Sequence, residues 1–239
     1  MTARIPLRAM ILAAGRGERM RPLTDRTPKP LLAAGGKALI EWQIERLVRA
    51  GFTELVINHA WLGGQIEAHL GDGVRYGARI AWSAEGTALE TLGGIVRALP
   101  LLGTQPFAVV SADIYTEYDY ARLVPVVEAL ARDAAGPVAH LVLTDNPPWH
   151  AAGDMALANG RIRLEGERLN YANIGVFHPR MFAGLERDKV LKLFPWAYQF
   201  LDTPGISGEH WSGVWHNVGT PTQLSELDAE LRARGVATR

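Results

Sequence analysis

The sequence predicts an α/β protein with a mostly parallel central sheet flanked by helices. The main observation is periodicity: short apolar runs alternate with amphipathic stretches through the first 145 residues. Strand–helix alternation of this kind builds a parallel sheet with helices over both faces. Composition agrees. With 239 residues, 48% hydrophobic and 21% charged, the chain suits a globular protein with a substantial core.

Taken in order, residues 8–12 (RAMIL) read as a buried strand running into a glycine loop. Residues 38–50 carry Ile40, Ile44, Leu47 and Val48 at helical spacing, with Gly51 as the cap. Strands are predicted at 55–58, 79–82, 107–110 and 138–143, and helices at 62–70, 89–99 and 121–131. After Asp145 the texture changes. Asn146-Pro147-Pro148-Trp149-His150 is a loop, and 155–158 with 161–164 form a hairpin around Asn159-Gly160. A strand at 171–177 and helices at 190–201 and 222–234 complete the prediction. There is no internal repeat or low-complexity linker. The expectation is one domain over 1–239, with a main part to about 145 and a substrate-binding elaboration over about 146–239.

The 25 basic and 25 acidic residues cancel, so charge offers no case for nucleic acid or a membrane surface as partner. The absence of cysteine excludes disulfides, thiolate metal sites and a Cys nucleophile. The seven histidines lack zinc-ligand spacing, and no Gly-x-Ser-x-Gly elbow occurs. No signal peptide or long apolar span is legible, so the expectation is a soluble, cytoplasmic protein. Oligomeric state is left open.

In a parallel sheet the ligand lies outside the carboxyl ends of the strands, which brings the Gly15 loop, Asn58-His59 and Asp113 to one edge. Gly15-Arg16-Gly17 after a strand lets backbone N–H groups approach a phosphate, with Arg16, Arg19 and Lys29 to balance charge. It is neither familiar phosphate loop. Met20 stands where a dinucleotide loop wants glycine or alanine, and Met20-Arg21-Pro22 replaces the Gly-Lys-Ser/Thr of a P-loop. By themselves the glycines are equally a tight turn with solvated arginines. In Thr27-Pro28-Lys29-Pro30 the lysine sits on stiffened backbone, and beside the glycine loop it reads as a phosphate clamp.

The stretch LAAGRGERMRPLTDRTPKPL, residues 12–31, resembles the signature of the sugar-1-phosphate nucleotidylyltransferases, with Ala14 in place of one usual glycine. The resemblance implies a Rossmann-like nucleotidyltransferase fold in which Ala13, Ala14, Gly15, Gly17 and Asn58 line the nucleotide and Arg19 and Lys29 act on its phosphates. WSAEGTALETLGGIVRAL resembles the family's base-recognition stretch, implying that Glu85 meets the base edge and Gly93-Gly94 lets backbone approach base or ribose. Read alone, Glu85 is equally a surface carboxylate and the glycines a helix-start turn. FAVVSADIYTEYD matches the strand that carries a Mg²⁺ carboxylate, here Asp113, which outside that context is a turn or cap residue. In GVWHNVGTPTQLSELD, Asn217 stands where the second metal carboxylate is usual, offering a neutral carbonyl directly or through water.

Within the family, VINHAWLGGQIEAHLGDG, DNPPWHAAGD and ISGEHWSGVWHNVGT look closest to the bacterial branch acting on N-acetylmuramate 1-phosphate in peptidoglycan recycling. By that likeness Asp154, Asn173 and Gly175 would line the sugar pocket, and Lys192 would contact the sugar phosphate unless it is solvated on its predicted helix. The implied partners are small molecules, a nucleoside triphosphate and a sugar 1-phosphate, with Mg²⁺ as cofactor. The implied reaction is UMP transfer from UTP with release of pyrophosphate. Two alternatives stand beside it: another base with another sugar or choline phosphate, and a nucleotide-sugar sensor without turnover, for which Ala14, Ala112 and Asn217 are the motive.

Overall fold

In the computed structural model, which describes residues 6–236, the chain enters through strand β1 (Arg8–Leu12), whose Ala9, Met10 and Ile11 have no solvent contact. A strand apolar on both faces belongs inside a sheet covered on both sides. A small ribbon, β2 (Ala33–Ala34) and β3 (Lys37–Ala38), leads into helix α1 (Leu39–Arg49). The Ala38 N–H donates to Glu41 Oε2 at 2.8 Å, one half of a capping box. Then come β4 (Glu54–His59), α2 (Gly63–Leu70), β5 (Arg79–Ala84), α3 (Glu90–Leu102), β6 (Phe107–Ser111), β7 (Ile114–Thr116), α4 (Leu123–Arg132) and β8 (Ala139–Thr144). The remainder adds β9 (Met155–Ala158), β10 (Arg161–Arg163), β11 (Arg168–Phe177), β12 (Ile206–Trp211), β13 (Trp215–Asn217) and α5 (Pro221–Ala233).

Nine strands make one sheet in the order β5-β4-β1-β6-β11-β8-β12-β10-β9. The first four are parallel, β11 enters antiparallel between β6 and β8, and β12 runs parallel to β8. Only β10 and β11 oppose the common direction, so the mostly parallel expectation holds and the exceptions lie after residue 145. Successive residues of β1 serve opposite faces. Ala9 and Ile11 join the core beneath α1, α2 and α4, while Met10 joins the core beneath α3. A third cluster of Met20, Leu39, Trp42, Tyr115, Leu227 and Leu231 fastens α5 to the loop after β1.

The strand order places β4 on one side of β1 and β6 on the other. This reversal is the topological switch point at which open α/β sheets bind ligands.

One predicted element is overturned. Residues 190–201 do not form a helix: an extended strap passes over the start of α3, followed by a 3₁₀ turn at Trp196–Phe200. Pro195 disfavours helical backbone at Phe194, and the strap finds its partners across the fold. The Leu191 N–H donates to the Leu89 carbonyl, and the Leu191 carbonyl accepts from Leu92 and Gly93. Strands β7, β12 and β13 carry no apolar run that would have announced them; β12 exists through its parallel ladder with β8.

Candidate active site

The chain leaves β1 at Leu12 and crosses the carboxyl edge as Ala13–Gly17. The Ala13 N–H donates to Asn58 Oδ1 at 2.9 Å, pinning the loop to the end of β4. Asn58 Nδ2 donates to Glu85 Oε1 at 2.7 Å, and Glu85 Oε2 accepts the Leu89 N–H at 2.8 Å. Asn58 is 2% and Glu85 8% exposed, so this relay is buried. Burial raises the Glu85 carboxyl above its ordinary range, against the opposing effect of the hydrogen bonds from Asn58 and Leu89. A Cβ at Gly94 would stand 2.6 Å from Glu85 Oε1 and 2.8 Å from Asn58 Nδ2, so α3 must be bare there.

Gly17 adopts φ +68°, and the Thr24 hydroxyl donates to its carbonyl at 2.8 Å. A Cβ at Gly17 would lie 3.0 Å from Thr24 Cγ2 and 3.2 Å from Lys29 Cβ, so the glycine folds the loop against the lysine. At Gly15 a Cβ would meet nothing within 4 Å, because this residue faces an open cleft.

That cleft, about 400 Å³, lies over the ends of β1 and β6, between the loop, Lys29 and Asp113. Lys29 Nζ donates to Asp113 Oδ2 at 2.5 Å, with the Lys29 side chain 11% and that of Asp113 32% exposed. Arg16 lines the same cleft. Its guanidinium lies 3.6 Å from the centroid of the Trp61 ring and donates to the Thr24 carbonyl at 2.9 Å. Arg19 is placed elsewhere: it is exposed and leans on the turn after β13, where a Cβ at Gly219 would lie 3.2 Å from its Nη2. In this conformation the cationic wall is Arg16 and Lys29. Arg16, flanked by the two loop glycines, carried a signal in the sequence; its Trp61 partner did not.

β13 pairs with β7 so that Asn217 opposes Ile114, and the Asp113 carbonyl accepts the Val218 N–H at 2.9 Å. Asn217 is thereby brought alongside Asp113. It also lines a pocket with Asp154, Asn173 and Tyr198. Between this pocket and the cleft lies a third, bounded by Glu90, Ser111, Asn173, Lys192 and Phe194. Neighbouring members share walls, so the three form one trough along the sheet edge. Asp154 Oδ2 accepts the Tyr171 N–H at 2.8 Å, and Oδ1 stands 2.9 Å from His150 Nε2. Asn173 has φ +57° within a register shift of β11 against β8, and such bulges re-aim a side chain out of the ladder.

Four of the expected contact residues stand in surroundings that the sequence did not show. The Gly93 N–H is already bound by the Leu191 carbonyl at 3.1 Å, and a Cβ there would run into the Lys189 carbonyl oxygen. The bare Gly93 therefore makes room for the strap. Gly175 lies inside the sheet, where a Cβ would come within 2.9 Å of the His140 carbonyl; its smallness serves strand packing. Both oxygens of Glu85 are held in its relay, behind the cleft wall. Lys192 is on the strap, not on a helix, and its side chain joins the middle pocket. Glu90, Tyr171 and Phe194 line the trough without having been singled out in the sequence. Among the described residues no group of three or more His, Cys, Asp or Glu forms a metal cluster, and no helix is long and apolar enough to cross a membrane.

A glycine loop with paired cation and carboxylate at the switch point of a parallel sheet, opening into a second pocket, is the arrangement of a nucleotidyl-transfer enzyme. Residues 8–153 match the nucleotidyl transferase family, and the chain belongs to that family. It is 49% identical over 228 residues to the N-acetylmuramate alpha-1-phosphate uridylyltransferase of Neisseria meningitidis serogroup B, covering 93% of this chain and 97% of that one. The protein of the same description from Caulobacter vibrioides is 36% identical over 237 residues, covering 95% and 97%. A solved structure of a putative glucose-1-phosphate thymidylyltransferase from Bacillus anthracis has the same fold, with TM-score 0.80, 21% identity and 95% of each chain covered.

Proposed function

We propose that this enzyme transfers UMP from UTP to N-acetylmuramate 1-phosphate, giving UDP-N-acetylmuramate and pyrophosphate in the cytoplasmic recycling of cell-wall sugars. The observation that carries the reading is the continuity of the trough: the glycine-loop cleft and the Asp154–Asn173 pocket share walls, so two substrates meet at one edge. The likeness to the Neisseria and Caulobacter enzymes supports the choice of base and sugar. Residues to about 145 would hold the nucleotide, and those from about 146 onward the sugar.

The acceptor phosphate is already an oxyanion, so no protein nucleophile is required. Its oxygen attacks the α-phosphorus of UTP, the bond from that phosphorus to the α–β bridging oxygen breaks, and pyrophosphate leaves with the electron pair. The protein's task is in-line positioning and neutralisation of charge. Backbone at Ala13–Gly15 lies open along the cleft, Arg16 and Lys29 supply positive charge, and the Asn58–Glu85 relay holds the loop in place. Arg19, which leans on the Gly219 turn, would join Arg16 and Lys29 by swinging away from it.

Asp113 and Asn217 fit a hard divalent cation such as Mg²⁺. Their segments are joined through the Val218 N–H and the Asp113 carbonyl, they bring one carboxylate and one amide carbonyl to the trough, and substrate phosphates can complete an oxygen shell. When bound, the cation would neutralise charge on the α-phosphate. Lys29, held by Asp113 in this structure, would then turn to the triphosphate.

The test is pyrophosphate release with UTP, GTP, CTP and dTTP set against several sugar phosphates. Release with UTP and the muramic sugar phosphate is expected. Triphosphate binding without release in any combination would instead favour a binding-only protein, for which the neutral Asn217 is the motive.

A further inference from the structure

Three carboxylates stand at or behind the nucleotide cleft. Asp113 is paired with Lys29, and both oxygens of Glu85 are taken by Asn58 and the Leu89 N–H. Glu90 is exposed on the wall common to the cleft and the middle pocket, and among the described residues no hydrogen bond or ion pair engages its carboxylate. Its backbone is also unusual, with φ +62°, a conformation that a residue bearing a Cβ adopts only at a cost. Glycine would take it freely, so packing gives no reason for a glutamate here. Helix capping gives none either, because Glu85 already receives the Leu89 N–H at the start of α3.

The position selects the ligand chemistry. Phosphates belong at the Gly15–Lys29 end, and a carboxylate repels them. At the seam between the two pockets a carboxylate is suited to neutral donors, and its two oxygens can accept from two adjacent hydroxyls. We propose that Glu90 is a substrate-positioning residue that accepts hydrogen bonds from vicinal hydroxyls of the ligand crossing that seam. The inference rests on the nucleotidyl-transfer reading above. The hydroxyls belong to the ribose of the nucleotide or to the sugar of the acceptor, and the two sources are separable.

The experiment compares the wild-type chain with Glu90→Gly and Glu90→Gln. Calorimetry measures binding of UTP, 2′-deoxy-UTP and 3′-deoxy-UTP; pyrophosphate release then gives KM for the acceptor sugar phosphate. Glu90→Gly relieves the left-handed backbone, so its melting temperature is expected to equal or exceed that of the wild type, which separates lost affinity from lost folding. If the ribose is the partner, Glu90→Gly weakens UTP about tenfold and binds UTP and its deoxy analogues alike, with Glu90→Gln intermediate. If the acceptor is the partner, nucleotide binding is unchanged and the acceptor KM rises by about the same factor. Unchanged values in both arms overturn the inference while leaving the enzyme's function intact. A wild-type chain that binds no triphosphate removes the nucleotide reading itself, and this inference with it.

Discussion

Lys29 and Asp113 hold each other at the cleft, and in the proposed reaction each takes a second partner. Replacing Lys29 by alanine removes a charged clamp, which typically costs on the order of 3 kcal/mol of transition-state stabilisation, about a hundredfold in kcat. Asp113 is partly solvated, so the loss of its partner should change stability by less than about 1 kcal/mol. Steady-state kinetics beside a urea titration would separate the two effects; a large fall in stability with modest loss of kcat would make the pair structural. Asn217 invites the opposite change. Asn217→Asp restores a second carboxylate beside Asp113, and ligand charge tightens oxygen-coordinated cations. The expected result is half-saturation at roughly tenfold lower Mg²⁺, about 1.4 kcal/mol, in a metal titration of pyrophosphate release. An unmoved midpoint would place the side chain outside the metal's reach.

Secondary-structure elements in this protein are joined by polar staples and close backbone approaches. The strap over α3 depends on Gly93 having no side chain, and Arg97 on α3 pairs with Asp188 on the strap. Gly93→Ala should displace the strap and with it Lys192 and Phe194. We expect about 1–3 kcal/mol of destabilisation and a larger rise in KM for the acceptor than for UTP. Equal effects on both KM values would detach the strap from the sugar pocket. A second staple joins β12 to the segment entering α4. Burial pushes the Glu209 carboxyl up, but the nearby His140 ring and the hydrogen bonds from Tyr118 and Arg122 outweigh it and hold the group at about 2. A depressed folded-state value means that the unfolded chain takes up the proton first as pH falls. The stabilisation is therefore complete above the ordinary carboxyl value near 4.5 and is lost as pH drops toward 2. Denaturation curves taken across that window should show a pH slope that is shallower in Glu209→Gln. The same slope in both proteins would move the acid-sensitive group elsewhere.

At the scale of the whole molecule, one sheet carries both halves of the trough, with β11 and β8 from either side of residue 145 paired along their length. The parts of the chain before and after residue 145 should therefore unfold together, with far-UV dichroism and tryptophan fluorescence tracing coincident denaturant curves. Two separate midpoints would divide the chain into independent units. Much of this molecule was legible in the sequence. Apolar runs and helical spacing located β1, β4, β6 and β8 with their helices, and the Gly-Arg-Gly and Pro-Lys-Pro patterns located the cleft, because these features act over a few neighbouring residues. Contacts between distant residues were not legible. Residues 190–201 had helical spacing but became a strap, since Pro195 weakened the local preference and backbone partners at Leu89, Leu92 and Gly93 supplied a better one. Gly93 read equally well as a ligand contact or a helix-start turn, and Gly175 as a sugar contact, and the atoms opposite them became known only from the fold. Glu90 looked like an ordinary residue at a helix start; its left-handed backbone and its place on a shared wall emerge only when α3, β6 and the strap converge. By itself the sequence determined most of the strands and helices and the glycine loop that borders the cleft, through interactions local along the chain. The tertiary structure alone decided which residues line the trough, because that depends on what the rest of the fold packs behind each one.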